Sequence, residues 1–262
     1  MKVLIFQTED EAKLRAAQII LSRVQSVPNS VLGLATGGTM EAIYAHLIEG
    51  SSNHSVSWSE TVTFNLDEYW GIPADSAASY RTYMNEHLFK HIDVAMKSTH
   101  VPASSGDDPS DAAQSYEDAI LTAGGIDLQL LGIGKNGHIG FNEPTSSLSS
   151  RTWIKTLTQE TRDSNRRFFE RLEDVPKYAL TVGIGTILAS EECIIVGTGV
   201  DKAAAIKAMI EGPVSAACPA SALQMHRNVT VLIDNDAAQN LDPMEYYQHV
   251  HPEGRETELS NV

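Results

Sequence analysis

Short runs of consecutive apolar residues alternate along the chain with segments in which apolar residues recur every three or four positions. The runs KVLIF (2–6), SVLGLAT (30–36), TVTFNL (61–66), IDLQLLGIG (126–134), ECIIVGTG (192–199) and NVTVLID (228–234) are strand-like in length and in their valines, isoleucines and leucines. They are apolar throughout rather than alternating, as expected of strands buried on both faces. Between them, Thr8 with Glu11 forms a capping box that opens a helix with Leu14, Ala17, Leu21 and Val24 on one face. MEAIYAHLI follows the turn TGGT, and Ser79 begins a helix that lines up Tyr80, Tyr83, Met84, His87 and Leu88. Further helices are predicted over about 110–123, near 161–170 (followed by YALTVGIG) and over KAAAIKAMI (202–210). This order predicts an α/β fold: a doubly wound, mainly parallel sheet with helices on both faces. No linker, repeat or low-complexity stretch divides the 262 residues, so 1–262 is predicted to be a single domain. The polar, acidic tail 242–262 is predicted to be peripheral.

In open α/β sheets, ligands bind beyond the carboxyl ends of the strands. Four such ends carry chemically capable residues here. Thr36, Gly37, Gly38 and Thr39 lie between a strand and a helix start, where backbone amides favour an anion. Lys202 opens a helix directly after another strand, where the helix dipole gives a cation nothing, so a ligand phosphate would explain it. Arg167 is a third phosphate candidate, with Arg166 beside it as an alternative. Asp67 follows TVTFNL and could carry a proton, with Glu68 competing; strand alternation allows only one of them to face a given crevice.

The most specific stretch is GIGKNGHIGFNEP. Gly132, Gly134 and Gly137 formally satisfy the dinucleotide fingerprint. That fingerprint requires a helix to start within it, and Gly140, Asn142 and Pro144 would not sustain one. What remains is a loop that crowds Asn136, His138, Asn142 and Glu143 onto a strand end. His138 is suited to proton transfer near neutral pH, and Glu143 could orient it.

Composition narrows the partners. A formal charge of −15 argues against nucleic acid, whose backbone is bound by Lys and Arg. Any phosphate must be held by a few placed cations and amides. No run is long and apolar enough to span a bilayer, and Met1 and Lys2 lead into VLIF without a secretory signal. Cys193 and Cys218 form no CxxC pair, which fits a reducing compartment, and the expected localisation is cytoplasmic. HExxH and GxSxG are absent, and His249 and His251 lack a third ligand, so no metal site is expected.

These motifs taken together resemble the glucosamine-6-phosphate deaminases of the sugar-phosphate isomerase type. The likeness runs from Met1 to about Ala238 and includes LGLATGGT, TFNLDEYWG, SYRTYMNEHLF, LLGIGKNGHIGFNEP, SSRTWIKTLTQETRDSNRRFF, VPKYALTVGIGTI and PASALQMH in one order. The resemblance implies conversion of glucosamine 6-phosphate and water to fructose 6-phosphate and ammonia, with no cofactor. It implies that His138 opens the sugar ring with Glu143 and Asn136 in support, and that Asp67 moves a proton between C2 and C1. Thr36 to Thr39, Arg167 and Lys202 would hold the phosphate, and 161–186 would form a mobile lid. The family includes monomers and hexamers, and a homo-oligomer is compatible with this sequence.

Two positions depart from parts of that family. Asn136 stands where some members carry Asp, and a neutral amide orients His138 without favouring its charged form. Members activated by N-acetylglucosamine 6-phosphate use two serines, an arginine and a lysine; Ser146, Ser147 and Lys155 match, but Trp153 replaces the arginine. Weak or absent activation is therefore expected. Two other functions stay open on the same architecture: a sugar-phosphate lactonase, and a non-catalytic sugar-phosphate sensor domain. The acidity and the start directly in a strand disfavour the sensor.

Overall fold

The computed structural model describes residues 1–73, 75–166, 169, 171–242 and 244–255. Ten strands occur among them: β1 (Lys2–Phe6), β2 (Val31–Leu34), β3 (Val62–Asn65), β4 (Asp67–Trp70), β5 (Thr99–His100), β6 (Leu128–Gly132), β7 (Trp153–Thr156), β8 (Tyr178–Thr181), β9 (Glu192–Gly197) and β10 (Val229–Asp234). The helices used to connect them include α1 (Glu9–Ser26), α2 (Gly38–His54), α3 (Tyr80–His87), α4 (Pro109–Thr122), α5 (Gln159–Asn165), α6 (Ile184–Leu188) and α7 (Ala203–Ile210).

Seven strands form one sheet in the order β1-β10-β9-β6-β2-β3-β5, each neighbouring pair parallel. Successive strand residues point to opposite faces. The burial of Ile194, Ile195 and Val196 in β9, and of every residue of β10, therefore means that both faces are covered. Strand order runs outward in two directions from the β2–β6 pair. The loops leaving these two strands diverge, and a crevice opens at that switch point.

Helix α1 begins with the predicted capping box, in which Glu11 N donates to Thr8 Oγ1 at 3.3 Å and Thr8 N to Glu11 Oε2 at 3.0 Å. Its buried face differs from the predicted one. Ala12, Ala16, Ala17, Ile20 and Val24 are buried, while Leu14 is 39% exposed. Alanines let α1 lie close against α2 and the sheet, and the leucines are rotated to the margin.

A second sheet was not anticipated by the strand pattern. One residue after β3, the chain leaves the large sheet as β4, which pairs antiparallel with β8; β8 in turn pairs antiparallel with β7. Its strands are short and far apart in sequence, with no hairpin turn to announce them. Tyr69, Ile72, Phe141, Leu157 and Ala179 form a separate small core beside it, with Tyr80 and Phe169 packed on. From the predicted tail, Met244 and Tyr247 lie against the main core and Gly254 is buried beside Phe6; residues 256–262 lie outside the described residues. No helix among the described residues is long and apolar enough to cross a membrane.

Glu117, on α4, ties the two sheets together. Its buried carboxylate accepts hydrogen bonds from Thr152 N at 2.7 Å, Thr152 Oγ1 at 2.6 Å and Thr186 Oγ1 at 2.6 Å, and pairs with Arg151 at 2.8 Å. These contacts hold the approach to β7 and helix α6 against the large-sheet layer. Glu117→Ala leaves an amide and two hydroxyls without their acceptor and is expected to cost roughly 2–4 kcal/mol in urea unfolding. A loss below about 1 kcal/mol would show that the cluster is not a structural tie.

Candidate active site

A cleft of about 400 Å³ opens at the switch point, lined from the ends of β2, β3, β6 and β9. The loop after β6 supplies one wall without forming a helix. Its glycines have steric jobs. A Cβ on Gly134 would overlap the His138 imidazole, and one on Gly140, whose φ is +56°, would press on Thr181 Oγ1 and Asp67 Oδ2. The spacing that mimics a dinucleotide fingerprint here seats a histidine.

Three side chains of this loop form a relay. His138 Nδ1 lies 2.7 Å from Asn136 Oδ1, and Asn136 Nδ2 donates to Glu143 Oε2 at 2.8 Å. The same Glu143 oxygen is 3.5 Å from His138 Nδ1. Glu143 is 2% exposed. Burial alone would raise its pKa, but hydrogen bonds from His138, Thr161 and Asn136 and the His138 charge outweigh burial and hold it at about 2. The neutrality of Asn136 thus does not leave the histidine without an anion, because Glu143 supplies one at the next step of the relay. Asn142 is turned inward, donating to Ile139 O and Val182 O and accepting from Trp153 Nε1, so it fixes the loop rather than facing the cleft.

Asp67 stands on the opposite wall, at the first residue of β4, and is 5% exposed. Burial, and then the Glu68 charge, push it up to about 8. Glu68 points the other way. Its carboxylate accepts from Tyr69 N at 2.8 Å and from Tyr80 N and Arg81 N at 3.0 Å, capping α3, and burial raises it against those bonds.

The third side has the chemistry to accept an anion. Helix α2 has Gly37 at its N-cap with no side-chain cap, so Gly37, Gly38 and Thr39 present backbone to the cleft. Lys202 enters from the turn after β9, forms no ion pair with a described residue, and is pulled down by burial and by Lys135. Lys135, on the rim, pairs with Asp201 at 2.5 Å.

Of the remaining predicted positions, Ser146, Ser147 and Lys155 do not line the cleft. Arg167 lies outside the described residues. Ser146 is buried and donates to Glu143 O at 2.6 Å; Ser147 is exposed and shares a bond with Ser149 at 3.1 Å. The Lys155 ammonium sits 4.7 Å above the Trp153 ring. Conversely, Tyr80, Phe141, Lys135 and Thr161 line the cleft and were not singled out as site residues by the sequence. Tyr80 was visible only as a member of a helix face. Among the described residues, no group of three or more His, Cys, Asp or Glu is placed to hold a metal ion.

The family model described as glucosamine-6-phosphate isomerases/6-phosphogluconolactonase matches residues 7–232. A protein of Hahella chejuensis named glucosamine-6-phosphate deaminase is 51% identical over 253 residues, covering 97% of each chain. One of the same name from Cellvibrio japonicus is 49% identical over 255 residues, covering 97% of each. The solved structure of a monomeric glucosamine-6-phosphate deaminase superposes with a TM-score of 0.89 at 44% identity, covering 92% of this chain and all (100%) of that one. A 6-phosphogluconolactonase of Trypanosoma brucei shares the fold, with a TM-score of 0.75 at 19% identity over 92% of this chain and 98% of its own.

The Asp67 environment has a thermodynamic signature. Its folded-state pKa of about 8 lies above the unfolded value, so the folded protein holds this proton more tightly. That contribution to stability is full below about pH 4 and is lost as the pH rises through about 8. Asp67→Asn keeps the shape without the titration. The variant should therefore gain thermal stability relative to wild type progressively across that window, and a pH-independent difference in Tm would contradict the assignment.

Proposed function

The chain belongs to the glucosamine-6-phosphate isomerase/6-phosphogluconolactonase family, and from that premise we propose that it is a glucosamine-6-phosphate deaminase of amino-sugar catabolism, acting in the cytoplasm. The observation that carries the reading is the pairing in one cleft of a His138–Asn136–Glu143 relay with a separate, buried carboxyl at Asp67. Two relatives of that name, near half identical over almost the whole chain, support it.

The chemistry follows from the two walls. The substrate phosphate binds at the α2 amides and Lys202, with Arg167 as a further contact, and the overall negative charge leaves that corner as the place where an anion is welcome. Anchoring the phosphate positions the sugar's reacting carbons between the walls. His138 moves the proton between the ring oxygen and the anomeric hydroxyl, opening the ring to the aldehyde. Its Nδ1 is held by Asn136, which leaves Nε2 for the substrate, and Glu143 stabilises the imidazolium. Asp67 then takes the C2 proton and returns it to C1 by way of an enolamine. A carboxyl raised to about 8 is a stronger base once ionised than an ordinary one. The substrate's C2 ammonium, arriving beside it, favours the ionised form. The ketimine that results adds water at C2 and expels ammonia, giving fructose 6-phosphate.

The segment 161–186 is the lid in this reading. Tyr178–Thr181 within it is hydrogen-bonded on both sides in the small sheet, so a closing movement would have to leave β8 in place. At position 153 a Trp ring beneath the Lys155 ammonium stands where activated members carry an arginine, so that position offers an effector no bidentate phosphate partner.

An ammonia-release assay on glucosamine 6-phosphate tests the whole reading. The wild type should turn over, Asp67→Asn and His138→Gln should each lose about 100-fold or more in kcat, and N-acetylglucosamine 6-phosphate should leave the saturation curve unchanged. Full activity in both variants, or acid release from a sugar-phosphate lactone in place of ammonia, would overturn it.

A further inference from the structure

Helix α5 opens on two threonines with more hydrogen-bonding capacity than a helix start uses. Thr158 is the N-cap, accepting from Thr161 N at 3.2 Å. That bond completes the cap, and any side chain at 161 would satisfy the helix. Yet Thr161 is buried, lines the cleft, and donates its hydroxyl to Glu143 Oε1. Thr158 Oγ1 lies 3.2 Å from the same oxygen and 3.0 Å from Thr161 Oγ1, so its one hydrogen is shared between them. The two Glu143 oxygens are thus divided, Oε2 serving the relay and Oε1 serving α5.

We propose that Thr161, backed by Thr158, is a positioning residue that fixes the Glu143 carboxylate against Asn136 and His138 and so ties the proton relay to the placement of α5. The same segment meets the cleft wall a second time. Phe169 packs edge-on to Tyr69 at 5.6 Å, in the cluster that includes the cleft-lining Tyr80 and Phe141. Arg162 closes the segment on itself by donating to Val175 O. Among the described residues, the titratable group whose charge acts on Glu143 is His138, from the loop after β6; the contacts from α5 and from Asn136 are neutral.

The proposal rests on the ring-opening role of His138. Thr161→Val removes the donor and keeps the shape; Thr161→Ser keeps the donor. The valine variant should lose about tenfold in kcat/KM for ammonia release, mostly in kcat. The acid limb of its pH profile should move to higher pH, because Glu143 loses a bond that favours its charged form. The serine variant should restore both. A valine profile that superimposes on wild type, or a serine variant as impaired as valine with an unmoved limb, would overturn the proposal. If the wild type released no ammonia, the functional reading would fail instead. The contrast would then be read from the His138 ring resonances across pH, which should change in the valine variant and not in the serine one; equal behaviour would again overturn it.

Discussion

Taking a carboxylate out of water is costly unless charge or hydrogen bonds replace the lost hydration, and this structure does so twice within one cleft, with opposite outcomes. Glu143 receives hydrogen bonds at both oxygens and a neighbouring histidine, and stays ionised, held at about 2. Asp67 receives burial and the charge of Glu68, and is pushed to about 8. Two groups of one chemical kind are thereby held in opposite ionisation states, and in the proposed mechanism this makes one a standing anion and the other a proton carrier. The roles assigned to His138, Asn136, Thr161 and Glu68 all derive from it.

The fold supplies that separation through a change of sheet. At Leu66 the chain abandons a parallel, doubly covered sheet for a short antiparallel one, and Leu66 N still donates to Leu34 O at 2.9 Å while Val182 N donates to Leu66 O at 2.7 Å. Asp67 is therefore clamped at the seam, where neither sheet offers its carboxyl a partner. The opposite wall is a loop that folds back on itself, Gly134 N donating to His138 O at 2.9 Å, in a space that only glycine leaves open. The proposed phosphate site lies on a third edge, at the α2 N-terminus and Lys202, where backbone and a cation rather than a carboxyl line the cleft.

Much of this was legible in the residues. Uniformly apolar runs announced the parallel sheet because burial on both faces removes the polar alternation, and polar residues at strand ends stood out against them. Gly140, Asn142 and Pro144 cannot continue a helix, which already excludes the dinucleotide fingerprint. Three things were not legible. The small sheet joins β4, β7 and β8 across long sequence separations, and pairing at that range leaves no local mark. The residue pattern alone left Asp67 and Glu68 as alternatives, the family resemblance pointed to Asp67, and the register of β4 gives the physical reason that Glu68 faces away. Thr158 and Thr161 read as an ordinary helix cap, since only the fold brings Glu143 to them.

The central claim is that Asp67, buried in the cleft wall, carries one proton from C2 to C1. Glucosamine 6-phosphate deuterated at C2 tests it directly, by the turnover rate and the isotopic content of the product. Turnover should be slower and deuterium should be recovered at C1 of fructose 6-phosphate, with both effects lost along with activity in Asp67→Asn. Undiminished turnover with no deuterium at C1 would contradict it.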